Sequence, residues 1–181
     1  MRNRTMGTTA LELAIALAVA ATLVALAAPS FASLIERTRY NAASHDLSAG
    51  LAQARMLAVV RGQPVTLCPS RDGERCEATF DWSQGWITYL DPGRGAQPDH
   101  AGNVLLVVRR VGGGAQPRVE TSSGRQRVRF QPDGTAGGHN LTFRICNADR
   151  SRTLGRVVVS RVGRARVERV ETDREAPCDP A

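Results

Sequence analysis

The sequence predicts an α+β protein in which a long N-terminal helix packs on an antiparallel β-sheet domain. The apolar run ALELAIALAVAATLVALAA occupies residues 10–28, and apolar residues then recur at helical spacing as far as Arg61. After Gly62 the pattern changes to short β-type runs that Gly and Pro separate. A helical segment followed by a series of strands is typical of the α+β class.

The apolar run has the length of a membrane span. Its nineteen residues would extend over about 28 Å, close to the thickness of a hydrocarbon core. Arg2 and Arg4 precede it and favour a cytoplasmic N-terminus. Glu12 is the one ionisable residue within the run, and a carboxylate in lipid is costly unless something pairs with it. Glu12 is therefore expected to have a partner and a functional role.

An apolar stripe continues the helix beyond the run. The residues that recur at threes and fours are Leu34, Ile35, Ala42, Leu47, Leu51, Ala54 and Ala58. Gly62 supplies a C-cap and Pro64 prevents continuation. One helix is thus predicted over residues 8–61, with a kink at Pro29.

The remainder of the chain predicts strands. The β-type runs cover residues 65–68, 86–90, 104–110, 126–130, 140–146, 156–161 and 166–170. Turn signals such as DPG at 91–93 and PDG at 132–134 lie between them. We expect an antiparallel sheet with the helix covering one of its faces.

The chain contains four cysteines: Cys68, Cys76, Cys146 and Cys178. No C-x-x-C and no histidine pair accompanies them, so no zinc or other metal site is predicted. On a translocated domain an even number indicates two disulfides, for which three pairings are possible. We favour Cys68 with Cys76, closing a short turn, and Cys146 with Cys178, tying the C-terminal tail to a strand. Four free thiols in a cytosolic protein are the alternative.

No catalytic set is recognisable. The three histidines lie on the helix and in two loops, with no metal-binding, nucleophile or phosphate-loop motif around them, and are interpreted as surface residues: His45, His100 and His139. Two acid pairs flank turns and are interpreted as turn formers: Asp72 with Glu74, and Asp91 with Asp99. Neither enzymatic activity nor a cofactor is predicted.

Trp82 and Trp86 allow two interpretations. Their rings could stack on the bases of a single strand. In a chain with so few aromatic residues they are also needed for the core, and we favour packing.

Arginines cluster in the C-terminal third of a chain whose net charge is +7. The cluster comprises Arg150, Arg152, Arg156, Arg161, Arg164, Arg166 and Arg169. Acids follow it, and a solvated strand face is one interpretation. Residues 150–166, however, hold six arginines and no acid, so a positive local potential is expected. Such a surface would contact phosphates, with an affinity that falls as salt is added.

The N-terminal segment has three interpretations. Two of them are a secretory signal cleaved near residues 25–27 and a plain membrane anchor. Gly7, Thr8 and Glu12 ahead of the apolar helix resemble a type IV prepilin. The resemblance implies that prepilin peptidase cuts after Gly7 and methylates the amine of Thr8, and that this amine on a neighbouring subunit pairs with Glu12. The first mature residue is usually Phe or Met in that family, and Thr8 departs from the pattern.

Later stretches resemble the GspH/FimT family of minor pilins and type II secretion pseudopilins. They are ARMLAVVRGQPVTLCPS at 54–70, DWSQGW at 81–86, FQPDG at 130–134, LTFRIC at 141–146 and VSRVGRAR at 159–166. The resemblance implies a leader peptide at 1–7, a transmembrane and filament-core helix at 8–30, and a periplasmic or extracellular α+β domain at 31–181. It also implies an inner-membrane location and other pilin or pseudopilin subunits as partners.

Residues 163–166, GRAR, are similar to the GRxR motif of FimT-type minor pilins from naturally competent bacteria. By that resemblance Arg164 and Arg166 contact the phosphates of double-stranded DNA, and Gly163 gives the turn its freedom. Arg156 and Arg161 are added on electrostatic grounds. No groove-reading helix is recognisable, so no base specificity is expected. The alternative is a GspH-like pseudopilin, a structural subunit without DNA binding.

Overall fold

The computed structural model describes residues 9–110, 116–122, 124–137, 140–170 and 178, without the side chain of Pro29. The chain divides into two compact units, Met1–Thr38 and Arg39–Ala181. Helix α1 runs from Ala10 to Arg61, and its predicted end is confirmed. The helical assignment is unbroken at Pro29, and the kink predicted there stays a prediction.

The first unit exposes its apolar side chains. Leu11, Leu17 and Leu26 are each more than half exposed, and α1 is the one helix of the described residues that is long and apolar enough to cross a membrane. Such a surface requires an apolar environment, which lipid or other helices can supply.

The second unit contains eight strands in two antiparallel sheets. The strands are β1 Val65–Pro69, β2 Gly85–Leu90, β3 Val104–Arg109, β4 Arg118–Thr121, β5 Val128–Phe130, β6 Leu141–Cys146, β7 Thr153–Val159 and β8 Ala165–Arg169, with a 3-10 turn at Ala101–Asn103. The first sheet has the order β3-β2-β1-β5 and the second the order β4-β6-β7-β8.

The sequence did not predict the division into two sheets. It also missed β4, in which Val119 is the only strongly apolar residue. Pairing with β6 establishes this strand, because Val119 lies opposite Ile145 and is fully buried. Strand β7 begins at Thr153, three residues earlier than predicted, and ends at Val159, where the chain turns.

One core joins α1 to both sheets. The helix contributes Tyr40, Ala43, Leu47, Leu51, Ala54 and Ala58; the first sheet contributes Val65, Leu67, Trp86, Val128 and Phe130; the second contributes Val119, Leu141, Phe143, Ile145, Val157 and Val159. Ala43 takes the place predicted for Ala42, which is exposed, since only Ala43 is in phase with Leu47 and Leu51.

Both tryptophans are core residues, as favoured from the sequence. Trp82 is fully buried and meets Phe143 edge to face, with ring centroids 5.0 Å apart. Trp86 is also buried. Gly85 between them has φ 121°, and a β-carbon there would collide with the carbonyl of Val108 on the neighbouring strand. The DWSQGW stretch is therefore explained by packing.

The structure joins Cys68 to Cys76 and Cys146 to Cys178, the pairing favoured from the sequence. The first disulfide packs with Ile87 and Tyr89 in a small separate cluster. These residues alternate with core residues along β1 and β2, so the first sheet is covered on both faces. The second sheet has buried and more exposed residues in alternation along β7, which indicates one solvated face.

Candidate nucleic-acid interface

The turn between β7 and β8 carries the GRAR residues. Ser160 donates its backbone N–H to Arg164 O at 2.9 Å, and Gly163 donates to Ser160 O at 2.8 Å. Gly163 has φ 79°, a left-handed conformation that favours glycine. The turn therefore closes a hairpin whose tip presents Arg161 and Arg164, both exposed.

Arg55 of α1 joins this turn to the loop after β5. Its Nε donates to Gly134 O at 2.9 Å, and Ala136 donates its N–H to Arg161 O at 2.9 Å. A β-carbon on Gly163 would collide with the same Gly134 carbonyl and would lie 3.1 Å from Arg55 Nε. Three of the stretches that resemble the GspH/FimT family thus meet here, through Arg55, Gly134 and Gly163.

A groove of about 720 Å³ runs between α1 and this turn. We call it the helix–hairpin groove. Its lining includes His45, Ser48, Arg55, Met56, Val59 and Arg164. No carboxylate lies among the described residues that line it. Arg164 has no hydrogen-bond or ion-pair partner for its guanidinium among the described residues, so this cation is available to a ligand.

Arg166 is placed differently from Arg164. Its Nη2 lies 2.8 Å from Glu168 Oε1, and the side chain is 73% exposed. Arg156 is paired in register with Glu168, so both arginines lie beside this acid on the solvated face of the second sheet. In the sequence Glu168 lies two residues beyond the basic stretch 150–166, but in the structure its carboxylate lies among the arginines of that stretch.

The arginine cluster is not continuous, which corrects the sequence-based expectation. Arg150 and Arg152 lie in the β6–β7 turn, at the opposite end of β7 from Arg161 and Arg164. Arg150 is also engaged, since its Nε is 2.8 Å from Glu120 Oε1 without hydrogen-bond alignment. Sequence proximity suggested one patch because both turns flank the same strand.

Other titratable residues have local structural roles. Asp72 accepts hydrogen bonds from the backbone N–H groups of Glu74 and Arg75 at 2.8 and 3.0 Å, and these bonds lower its pKa. Asp91 is buried and receives Arg129 Nε at 2.7 Å and the Gly95 N–H at 2.7 Å. Both acids are confirmed as residues of turns.

His45 and His100 are exposed, as interpreted, and His139 lies outside the described residues. Across the described ranges no group of three or more His, Cys, Asp or Glu residues could hold a metal ion.

Glu12 has a partner within its own chain. Its Oε2 accepts from the Thr9 backbone N–H at 2.9 Å and from Thr9 Oγ1 at 3.2 Å, and its own N–H donates to Thr9 Oγ1 at 3.3 Å. This reciprocal arrangement is a capping box at the start of α1. The T-x-x-E spacing was readable in the sequence, but Glu12 was interpreted only as an intersubunit group. Gly7 and Thr8 lie outside the described residues.

The sequence matches a model of a known protein family. The model described as "Type II transport protein GspH" matches residues 43–163, which is most of the β-sheet domain. The chain belongs to the GspH family. A comparison with curated protein sequences finds no match.

The GspH-family fold is also found among solved pilins. Two crystal forms of the type IV minor pilin FimU from Pseudomonas aeruginosa strain PAO1 are similar to this chain, each at 21% identity. The P65 form has a TM-score of 0.55 and covers 77% of this chain and 99% of its own. The P21 form has a TM-score of 0.57, with coverages of 80% and 98%. The likeness confirms the predicted fold class, a long helix on antiparallel β-structure.

Two residues of this GspH-family site were missed from the sequence. Arg55 and Glu168 were not among the candidate site residues. Neither has a local signal, because Arg55 reaches the site across 79 residues to Gly134 and Glu168 reaches it through the register of β8 with β7.

Proposed function

We propose that this GspH-family protein is a FimT-like minor pilin of a type IV pilus that binds extracellular double-stranded DNA for natural transformation. The observation that carries the DNA-binding part is the β7–β8 turn. Among the residues that the structure describes, its Arg164 guanidinium has no partner and the adjoining groove is lined by no acid. A cationic surface of this kind suits the phosphate backbone and carries no base specificity.

The N-terminal half of the proposal concerns assembly. Prepilin peptidase cuts after Gly7 and methylates Thr8. The mature helix at 8–30 holds the protein in the inner membrane, with the domain at 31–181 in the periplasm, and then packs in the filament. Glu12 pairs with the Thr8 amine of the next subunit. This is supported by the exposed apolar half of α1 and by Glu12, whose Oε2 accepts from Thr9 while its Oε1 has no partner among the described residues.

The DNA contacts are assigned to the β7–β8 hairpin. Arg164 and Arg161 at its tip are the primary cations, and Gly163 allows the turn to approach Gly134. Arg166 and Arg156 are secondary, because Glu168 lies beside both and reduces the local potential.

A GspH-like pseudopilin of a type II secretion system is the second candidate. The description of the matching family model favours it, and so does Glu168, which offsets two of the arginines. In that role the protein is a structural subunit of a short periplasmic filament and has no nucleic-acid ligand.

The test is a gel shift of the full chain, purified in detergent, on double-stranded DNA at low and moderate salt. We expect binding that weakens steeply with salt, as counterion release requires. The Arg164→Ala/Arg166→Ala double variant should lose at least about ten-fold in affinity, since it removes two phosphate contacts. The matched control is Arg71→Ala/Arg75→Ala, which removes two exposed arginines from the Cys68–Cys76 loop.

Two results would contradict the proposal. Equal binding by the double variant and the control would show that the hairpin is not the DNA site. No binding by the wild-type chain at low salt would favour the secretion subunit.

A further inference from the structure

The helix–hairpin groove has a cation on each of its two sides. Helix α1 contributes Arg55 and the β7–β8 turn contributes Arg164. Small and apolar side chains of α1 line the space between them, among them Ala49, Ala52 and Met56. An apolar floor lowers the local dielectric and strengthens the attraction between these guanidinium groups and an anion.

Arg55 is held in place at one end only. Its Nε donates to Gly134 O at 2.9 Å, and the residue is half-buried. Its two terminal nitrogens have no hydrogen-bond or ion-pair partner within the described part of the chain. A guanidinium anchored through Nε loses little conformational freedom when its Nη groups bind an oxyanion, and its planar fork matches the oxygens of a phosphate.

We infer that the helix–hairpin groove is the binding site for a DNA backbone phosphate, which is held between Arg55 and Arg164. This inference rests on the proposed function and extends it, because it places one phosphate contact on α1, outside the GRAR residues. The apolar floor faces the deoxyribose carbons of the bound strand. Arg55 has two roles in this arrangement: Nε positions the Gly134 loop against Gly163, and the Nη groups bind the phosphate.

The experiment is a fluorescence-anisotropy titration of labelled duplex DNA with the full chain in detergent, between about 50 and about 200 mM salt. We expect Arg55→Gln to weaken binding about five-fold at low salt and to reduce the slope of log K against log salt by about 1, equally for two unrelated duplex sequences. Arg61→Gln is the matched control. It lies in the last turn of the same helix and is exposed, and it does not line the groove.

Arg55→Lys separates charge from positioning. Its ammonium retains the counterion-release term, so the salt slope should stay within about 0.3 of the wild-type value. A purely structural role predicts that both variants lose affinity and that the salt slope of Arg55→Gln, like that of Arg55→Lys, stays at the wild-type value. Thermal melting of each variant checks the fold. If Arg55→Gln does not fold, the affinity of Arg55→Lys at low salt decides the matter, because the retained charge keeps it close to the wild-type value and a purely structural role lowers it.

The outcomes distinguish this inference from the proposed function. If Arg164→Ala/Arg166→Ala abolishes binding while Arg55→Gln behaves like Arg61→Gln, the groove is not a phosphate-binding site, and the assignment of DNA binding to the hairpin is retained. If the wild-type chain binds no duplex, both are wrong. If Arg55→Gln leaves DNA binding intact but abolishes binding of poly-glutamate, the groove is a site for acidic protein segments and the inference is overturned.

Discussion

Glu120 is a charged residue in a buried position, only 4% exposed. Burial raises the pKa of its carboxyl group, Arg150 opposes that change, and Asp81 adds to it. Arg144 and Arg118 act in the same direction as Arg150. Because burial is the largest effect, the ionised form is less favourable in the folded protein than in the unfolded chain.

The stability of the protein should depend on pH through Glu120. A carboxyl group whose pKa is raised on folding contributes stability below its unfolded value of 4.5, and this contribution is lost as pH rises through the folded value. Glu120→Gln removes this titration and retains an oxygen that can accept from Arg150. The melting temperature of the variant relative to wild type should therefore rise between about pH 4 and about pH 7. Calorimetry measures it, with Glu74→Gln as the exposed control.

If the melting temperature of Glu120→Gln relative to wild type stays constant or falls between about pH 4 and about pH 7, Arg150 stabilises the ionised form of Glu120 enough to outweigh burial.

At the scale of elements, the β7–β8 hairpin combines two opposing tendencies. Its tip presents Arg161 and Arg164, and its solvated face places Glu168 beside Arg156 and Arg166. An ion pair this exposed contributes little to stability. In the proposed role its charge would compete with phosphates for the same arginines, so Glu168 should limit affinity for DNA.

Glu168→Gln should increase affinity for duplex DNA about two- to five-fold at low salt, because Arg166 then contacts a phosphate without competition from Glu168. The melting temperature should change little. Anisotropy titration measures the affinity. Glu77→Gln is a matched control, since Glu77 pairs with exposed Arg71 at 3.7 Å away from the hairpin. An unchanged or weaker affinity for Glu168→Gln would exclude Arg166 from the interface.

At the scale of the whole molecule, the two compact units have different requirements. The second has its own core, whereas the first exposes apolar residues along its whole described length. Lipid before assembly and other subunits after it would satisfy the first unit in the proposed role. In the proposed role Glu12 distinguishes the two environments, because a neighbouring Thr8 amine would pair with its carboxylate only in the filament.

Assembly should therefore depend on the Glu12 carboxylate. Glu12→Ala should leave the protein inserted and cleaved, with mature chains that begin at Thr8 by mass analysis, yet absent from sheared filaments. Thr9→Val is the control, because it removes the two contacts of the capping box that use Thr9 Oγ1 and retains the carboxylate. It should still assemble. Loss of assembly in both variants would assign Glu12 to capping its own helix.

Elements with strong local patterns were predictable. Helix α1 ends at Arg61 as expected, since Gly62 and Pro64 act within a few residues. Strand β6 carried an alternating pattern and lies within one residue of its prediction. Strand β4 was not predictable, because its identity as a strand depends on pairing with β6, far along the chain.

By itself the sequence determined the apolar helix, most strands and the residues of the β7–β8 turn, and it favoured the cysteine pairing that the structure contains. These follow from periodicity, turn chemistry and spacing, all of which act locally. Only the tertiary structure decided the two-sheet arrangement, the separation of Arg150 from Arg164, and the association of Arg55 and Glu168 with the hairpin. Strand register and helix packing bring together residues that are far apart in the sequence. Such contacts leave no local pattern in the sequence from which they could be predicted.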